Sequence, residues 1–396
     1  MQSTPIANRK HIALIGNANS GKSTLFNRLL GQELAITSEK KGTTTDPITK
    51  AMELSPYGPV AIIDTAGLSD DTELGVKRME KTNAIVSRAD LLLYVADISD
   101  FDAHSYEVAR LDSQKKKSAF LLLFNKCDLV DKETVLSFKE KYPDALFISK
   151  KDDKTIDSLK EAIIVELEKI TDTNDSIIGN LLDENSTVLL VIPIDIAAPK
   201  GRLILPQVQL IRDCLDNNIK CTIVKENQIE DALKELPKVD LVVTDSQIFK
   251  SVDRLVPQQI PLTSFSMLLA NKNGGIRTFI NGARAIDNLP NGAKILMAEA
   301  CTHNVTHEDI GREKIPHWLK SFTGKDFEYR YAVSHDFPEN LSEYDLVIHC
   351  GGCMINQMAI LTRLNICENA GIPITNYGVV IAYINGILDR CSTIFY

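Results

Sequence analysis

No run of apolar residues in this chain approaches the ~18–20 that a membrane-spanning helix needs, so no transmembrane segment is expected. Positive charge is in deficit: 44 Lys and Arg stand against 53 Asp and Glu, a formal net charge of −9. An acidic chain is a poor general ligand for nucleic acid or for an anionic membrane. Low-complexity tracts and short-period repeats are missing, and Trp318 is the single tryptophan, read as packing. Met1–Lys10 is short and polar and an apolar strand follows at once, which is not the pattern of a signal peptide. The expectation is a cytoplasmic protein with no membrane and no nucleic-acid partner.

What is present suffices for several cores. The chain has 396 residues, 44% of them apolar and 24% charged, and domains usually take ~100–200 residues each, so two or three are expected. From His11 to Ile170, short apolar runs (His11–Ile15, Val60–Asp64, Leu91–Ala96, Ala119–Phe124, Ala145–Ile148) alternate with stretches of helical period. That rhythm predicts a mostly parallel α/β sheet covered on both faces. The polar run Thr171–Asp175 breaks it, and 171–185 reads as a linker. A second α/β rhythm occupies 186–265 and a third 266–396, so the fold class is α/β with three α/β domains.

Gly16-Asn17-Ala18-Asn19-Ser20-Gly21-Lys22-Ser23 fits G-x-x-x-x-G-K-[ST] between an apolar strand and a helix beginning at Thr24. Glycines there let backbone N–H groups curl around phosphates. Lys22 is expected to reach the β- and γ-phosphates and Ser23 to ligate magnesium. Asp64-Thr65-Ala66-Gly67 follows the strand Val60–Ile63, with Asp64 holding magnesium through water and the Gly67 amide meeting the γ-phosphate. Asn125-Lys126-Cys127-Asp128 follows Ala119–Phe124. Its Asp128 carboxylate can accept from guanine N1 and N2, donors that adenine lacks as a pair, while Lys126 lies along the base plane. Ser149-Lys150 follows Ala145–Ile148, where backbone can meet guanine O6. Upstream, a threonine in Gly42-Thr43-Thr44-Thr45-Asp46 can ligate magnesium only while the γ-phosphate is present, which makes that loop a switch. The ordered set predicts a GTP-hydrolysing enzyme.

These motifs resemble the GTPase class that includes the tRNA-modification and ribosome-assembly GTPases. Its G-T-T-x-D switch matches Gly42–Asp46, which implies Thr44 as the magnesium ligand, and its P-loop asparagine matches Asn19, which implies a potassium ion at the phosphates. Leu68 stands where Ras-like enzymes carry a water-orienting glutamine. Slow intrinsic hydrolysis that depends on potassium is expected.

Eight cysteines are present, and a reducing compartment argues against a disulfide framework. Cys214, Cys221 and Cys367 read as core, while Cys127 is the variable position of its motif and Cys391 has no assigned role. Cys301-Thr302-His303 follows the strand Ile295–Ala300, and His349-Cys350-Gly351-Gly352-Cys353 follows the strand Asp345–Ile348. Parallel strands would bring both half-motifs to one sheet edge, and a helix starting near Met354 would add its positive end. Three thiols and two imidazoles suit a Cys3His zinc site or an iron–sulfur cluster, and spacing alone leaves the two even.

A C-x-H, then an H-C-x-x-C, behind a GTPase domain is similar to the HydF family, the scaffold GTPases that mature FeFe-hydrogenase; Glu308-Asp309-Ile310-Gly311-Arg312 resembles that family too. The resemblance implies a 4Fe-4S cluster on Cys301, Cys350 and Cys353 in an iron–sulfur cluster-binding domain. It leaves His303 and His349, and more weakly Glu299, for the fourth position or the surrounding shell. It implies a dimerisation domain in the middle block, hence a homodimer or higher oligomer. It also implies cargo received from two radical-SAM maturases and delivered to apo FeFe-hydrogenase. The competing reading is a tRNA- or ribosome-acting GTPase with a structural zinc site. Against it, residues 266–396 hold 11 Lys and Arg and 13 Asp and Glu, no basic surplus for RNA.

Overall fold

The computed structural model describes residues 9–31, 47–65, 82, 85–116, 118–170, 176–194, 203–300, 309–333, 336–338, 340–353 and 355–396. Two compact units divide the chain, Met1–Thr171 and Asp172–Tyr396. Thr44, Gly67, Leu68, Cys301 and His303 lie outside the described residues.

The first unit is built on one sheet: β1 (Lys10–Ile15), β2 (Ile48–Leu54), β3 (Gly58–Asp64), β4 (Leu91–Asp97), β5 (Ala119–Asn125) and β6 (Leu146–Phe147), in the order β2-β3-β1-β4-β5-β6. All neighbours are parallel except β2, which pairs antiparallel with β3. The central strands β1 and β4 are buried almost throughout, as a sheet with two covered faces requires. Strand β2 was not expected: as a half-exposed edge it carries Lys50 among its apolar positions, which hides the alternation. Helices Lys22–Leu30 and Lys154–Lys169 cover one face through Leu25, Phe26, Leu29, Leu159, Ile163 and Leu167.

The second unit holds two parallel four-stranded sheets. One contains β7 (Thr187–Val191), β8 (Lys220–Val224), β9 (Leu241–Thr244) and β10 (Leu262–Ser264), ordered β10-β9-β7-β8. The other contains β11 (Lys294–Glu299), β12 (Glu328–Val333), β13 (Leu346–His349) and β14 (Ile374–Asn376), ordered β12-β11-β13-β14. One continuous apolar core runs through both sheets, so the second and third sequence blocks fold as a single compact body. Cys214, Cys367 and Cys391 are wholly buried in that core, and Trp318 packs against it.

The linker assignment needs correction. Among 176–185, Ile177 and Ile178 are core residues, and Leu181 and Leu182 pack against the same core. Asp213 fastens this stretch, accepting from Ser176 Oγ at 2.8 Å and from the Ile177 and Ile178 amides at 3.0 and 2.8 Å. Four apolar side chains among polar neighbours give too short a pattern to read as an element.

Candidate nucleotide and cysteine sites

The nucleotide motifs gather at the carboxyl edge of the first sheet, where open α/β sheets bind ligands. Two glycines shape the loop that leaves β1. Gly16 has φ +139° and a Cβ there would sit 2.2 Å from Val95 O; Gly21 has φ +92° and a Cβ there would sit 2.2 Å from Asn125 Nδ2. Neither position accepts a side chain. Asn19, also at positive φ (62°), is exposed at the loop tip.

Lys22 is buried and donates from Nζ to Gly16 O at 2.9 Å and Asn17 O at 2.8 Å. Burial lowers its pKa to about 8, against the pull of the Asp64 charge. Ser23 Oγ donates to Asp64 Oδ2 at 2.6 Å. Burial raises the Asp64 pKa, opposed by that bond and by Lys22. Asp64 Oδ1, Asn17 Oδ1 and Ser20 Oγ are buried and have no hydrogen-bond partner among the described residues. A carboxylate oxygen left bare beside a serine hydroxyl suits a magnesium ion, which prefers carboxylate, hydroxyl and phosphate oxygens. Thr65 Oγ1 donates to Leu14 O at 2.6 Å and so pins the end of β3 to β1.

The guanine motif is tied into this loop. Asn125 Nδ2 donates to Ser20 O at 2.9 Å, so Asn125 fastens the phosphate loop. Lys126 has a left-handed backbone (φ 63°) and pairs through Nζ with Asp97 Oδ2 at 2.6 Å. Burial pushes the Asp97 carboxyl up, but bonds from Lys126 and Ser99 outweigh it and hold the pKa below the usual value. Asp128 Oδ1 accepts from the Lys150 amide at 3.2 Å and from Ser149 Oγ at 3.4 Å, joining the two segments expected to meet the base. Arg28, from the helix opened by the phosphate loop, donates to Ser149 O at 2.9 Å and pairs with Asp153 at 3.0 Å. Sequence reasoning passed over Arg28, Asp97 and Asp153, none of which belongs to a motif. Thr24 lies within the helix Lys22–Leu30.

In the second unit β11 and β13 are parallel neighbours in register, Ala298 opposite His349. The residues that lead to Cys301 therefore leave the sheet beside Cys350. Ala300 N donates to Cys350 Sγ at 3.1 Å and Gly352 N does so at 3.4 Å. Gly352 has φ +67° and a Cβ there would lie 2.7 Å from Ile360 Cδ1, which keeps the Cys350–Cys353 turn tight. Cys350 and Cys353 are half-buried and unlinked by a disulfide. A thiol that receives two backbone N–H groups is arranged as a thiolate would be, and two thiols on one short turn suit a soft metal or an iron–sulfur cluster. Among the described residues alone, no group of three metal-ligating side chains occurs.

His349 is buried and both its nitrogens are engaged. Nδ1 lies 2.7 Å from Cys350 O, and Arg363 Nη1 lies 2.7 Å from Nε2. A guanidinium only donates and a carbonyl only accepts, so the ring is neutral with its proton on Nδ1. Burial first, and then Arg363, push its pKa down to about 3. In this arrangement both nitrogens of His349 are taken by protein partners. Glu299 is committed as well: Arg312 grips it with Nε at 3.1 Å and Nη2 at 2.7 Å. The helix expected near Met354 begins at Gln357, capped by Asn356, whose side chain accepts from Ala359 N. Its positive end is thus some residues beyond Cys353. Sequence reasoning also missed Arg363, Arg312, Tyr377 and the hydroxyls of Ser246 and Ser266, 3.0 Å apart, against which Gly378 packs.

Comparison with known families follows this layout. Residues 277–394 match the hydrogen maturase F tetramerization domain and residues 177–274 the hydrogen maturase F dimerization domain, together more than half of the chain. The chain belongs to the hydrogen maturase F family. Residues 11–126 match a GTPase domain described as 50S ribosome-binding GTPase. The tRNA modification GTPase MnmE of Ralstonia nicotianae is 36% identical over 163 residues, 39% of this chain and 34% of that protein. GTPase Der of Kosmotoga olearia is 31% identical over 174 residues, 40% of this chain and 39% of that protein. The chain spans about a third of the length of such curated relatives. Among solved structures, Era in complex with MgGDPNP and 16S ribosomal RNA aligns at 22% identity and a TM-score of 0.35, over 40% of this chain and 56% of that one. NFeoB from S. thermophilus bound to GDP.AlF4- and K+ aligns at 21% identity and a TM-score of 0.31, over 39% of this chain and 61% of that one. In the family's terms, the dimerization match includes the first sheet of the second unit and the tetramerization match the second sheet with Cys350 and Cys353.

Proposed function

We propose that this hydrogen maturase F chain is a GTP-hydrolysing scaffold and carrier. It binds a 4Fe-4S cluster and assembles or delivers the di-iron precursor to apo FeFe-hydrogenase, with two radical-SAM maturases as suppliers and a dimer or higher oligomer as the working form. The observation that carries the reading is Cys350: two backbone amides converge on its sulfur at the strand edge from which the chain runs to Cys301. The family models that match 177–274 and 277–394 favour this over a tRNA- or ribosome-acting GTPase; the ribosome-binding GTPase model matches residues 11–126.

In the nucleotide site, Lys22 exchanges its two carbonyl partners for phosphate oxygens. Ser23 and Asp64, with Thr44, would hold magnesium, and Asn19 potassium. When bound, these cations supply positive charge that offsets the charge on the transferring phosphoryl group. The Gly16–Ser23 amides orient the phosphates, and the Gly67 amide meets the γ-phosphate. Asp128 reads the guanine donors while Asn125 and Arg28 keep base and phosphate loops in register. Cys301, Cys350 and Cys353 would hold the cluster, which supplies a redox-active iron–sulfur centre with an open position. Arg363 and Arg312 withdraw His349 and Glu299 from that position, which leaves His303 for it or for the shell.

Anaerobic purification with iron, sulfide and zinc counts, followed by EPR of the reduced protein, tests the reading. About four iron and four sulfide per chain is the expected result. Zinc without sulfide refutes it. GTP turnover is expected to be faster in potassium than in sodium; equal rates would remove the assignment of Asn19.

A further inference from the structure

Strand order makes Cys350 and Tyr377 neighbours. β13 lies between β11 and β14, and His349 is the register partner of Asn376, so Cys350 and Tyr377 leave adjacent strands side by side. The Tyr377 side chain runs to Gly311, where a Cβ would sit 2.0 Å from the hydroxyl oxygen. Gly311 belongs to the turn Ile310–Lys314, which Arg312 ties to Glu299 at the end of β11. The tyrosine thus starts from β14 and ends at a segment fastened to β11. It crosses the carboxyl end of β13, where the cysteine turn emerges.

The hydroxyl at its tip is buried and has no hydrogen-bond partner among the described residues. A buried phenol without a partner costs free energy unless a ligand completes it. Burial above all, and then the nearby Cys350 and Glu299, push its pKa well up, so it remains a neutral donor.

We propose that Tyr377 donates a hydrogen bond to the anionic metal–sulfur centre held at Cys350 and Cys353 and thereby raises its reduction potential. This rests on the cluster reading above. Hydrogen bonds to cluster sulfurs stabilise the more negative, reduced state, so their loss lowers the potential. Tyr377 is a positioning and tuning residue here; the thiolates remain the ligands.

The test uses full-length protein reconstituted anaerobically with iron and sulfide. Tyr377→Phe removes one oxygen and keeps the ring. Its iron and sulfide content is expected to equal the wild type. Its midpoint potential, followed by EPR, should fall, and it should lack one of the proton couplings to the reduced cluster that the wild type loses on transfer to D2O. A wild-type cluster whose potential and proton couplings are unchanged in Tyr377→Phe overturns the proposal and leaves the scaffold reading intact. A wild-type protein that takes zinc and no sulfide overturns both. If Tyr377→Phe fails to hold a cluster, Gly311→Ala decides: its Cβ displaces the hydroxyl but leaves the tyrosine in place. A lowered potential in that variant supports the proposal, and an unchanged one overturns it.

Discussion

At the scale of single residues, Lys22 is the most informative titrating group. Burial brings its pKa down to about 8, while its Nζ is held by two loop carbonyls. Phosphate oxygens are anionic, so nucleotide binding raises that pKa. The sign follows: below about 8 the lysine is already charged and binding takes up no proton, whereas above it binding must recruit one. Nucleotide affinity is therefore expected to be flat up to about pH 8 and then to fall, approaching tenfold per pH unit. Calorimetry in buffers of different ionisation enthalpy checks this: proton uptake near zero at neutral pH and approaching one proton well above pH ~8. Uptake that is the same at both ends would place the lysine pKa elsewhere. Lys22 itself was legible because phosphate binding needs a lysine at a fixed distance from the loop glycines. Tyr377, Arg363 and Arg312 were not legible as a group. Each acts on a residue far away in the chain, for example Arg363 on His349 fourteen positions earlier and Tyr377 beside Gly311, and such pairings depend on strand order. Arg312 stood in a quoted segment, but nothing in the segment says that its guanidinium seizes Glu299.

At the scale of elements, the strands that carry the sites were readable and the pieces that lean on them were less so. β8 and β12 coincide with the expected Lys220–Val224 and Glu328–Val333, and β11 (Lys294–Glu299) and β13 (Leu346–His349) are each offset by one residue at both ends from the expected Ile295–Ala300 and Asp345–Ile348. Their apolar runs are continuous because parallel strands are covered on both faces. Short helices such as Phe249–Leu255, Phe265–Lys272 and Ile276–Arg284 escaped, since two turns of helix give too few repeats to establish a period. The last of these makes a sharp test of packing. Ile276, Phe279, Ile280 and Ala283 are buried, and Gly282 brings the backbone against β14, where a Cβ would meet Ile374 O at 1.9 Å and Ile374 C at 2.5 Å. Neither atom belongs to a side chain that can turn away, so the helix must lift or the strand must shift. Gly282→Ala is expected to cost about 3 kcal/mol and lower the melting temperature of the second unit by roughly 6–12 °C. Nucleotide binding to the first unit should be unchanged. Thermal denaturation followed by circular dichroism, with a nucleotide titration at low temperature, separates the two. A melting temperature equal to wild type would mean that helix and strand are further apart than this structure has them.

At the scale of the whole molecule, each unit has its own core, and the described residues of each site belong to one unit. The phosphate and guanine loops are stitched together by Asn125, Asp128 and Arg28, all from the first unit. The cysteine turn is supported by Ala300, Gly352, His349 and Arg363, all from the second. These supports lie in the same unit as the site they hold, so each site should survive the loss of its counterpart. Lys22→Ala is expected to reduce GTP turnover by 100-fold or more, on the order of the ~3 kcal/mol carried by one electrostatic contact to a developing charge. Its iron and sulfide content should equal the wild type. Cys350→Ser should show the reverse, with the cluster lost and turnover within about twofold of wild type. The two measurements belong on the same preparations, because a preparation that is simply unfolded fails both and is recognised by that. The pair also separates storage from transfer. If the nucleotide state governs delivery, Lys22→Ala protein loaded with cluster and precursor will activate apo-hydrogenase poorly in spite of its full iron content. Full activation by that variant would leave GTP hydrolysis without a part in delivery, and would assign it to the binding or release of partner proteins.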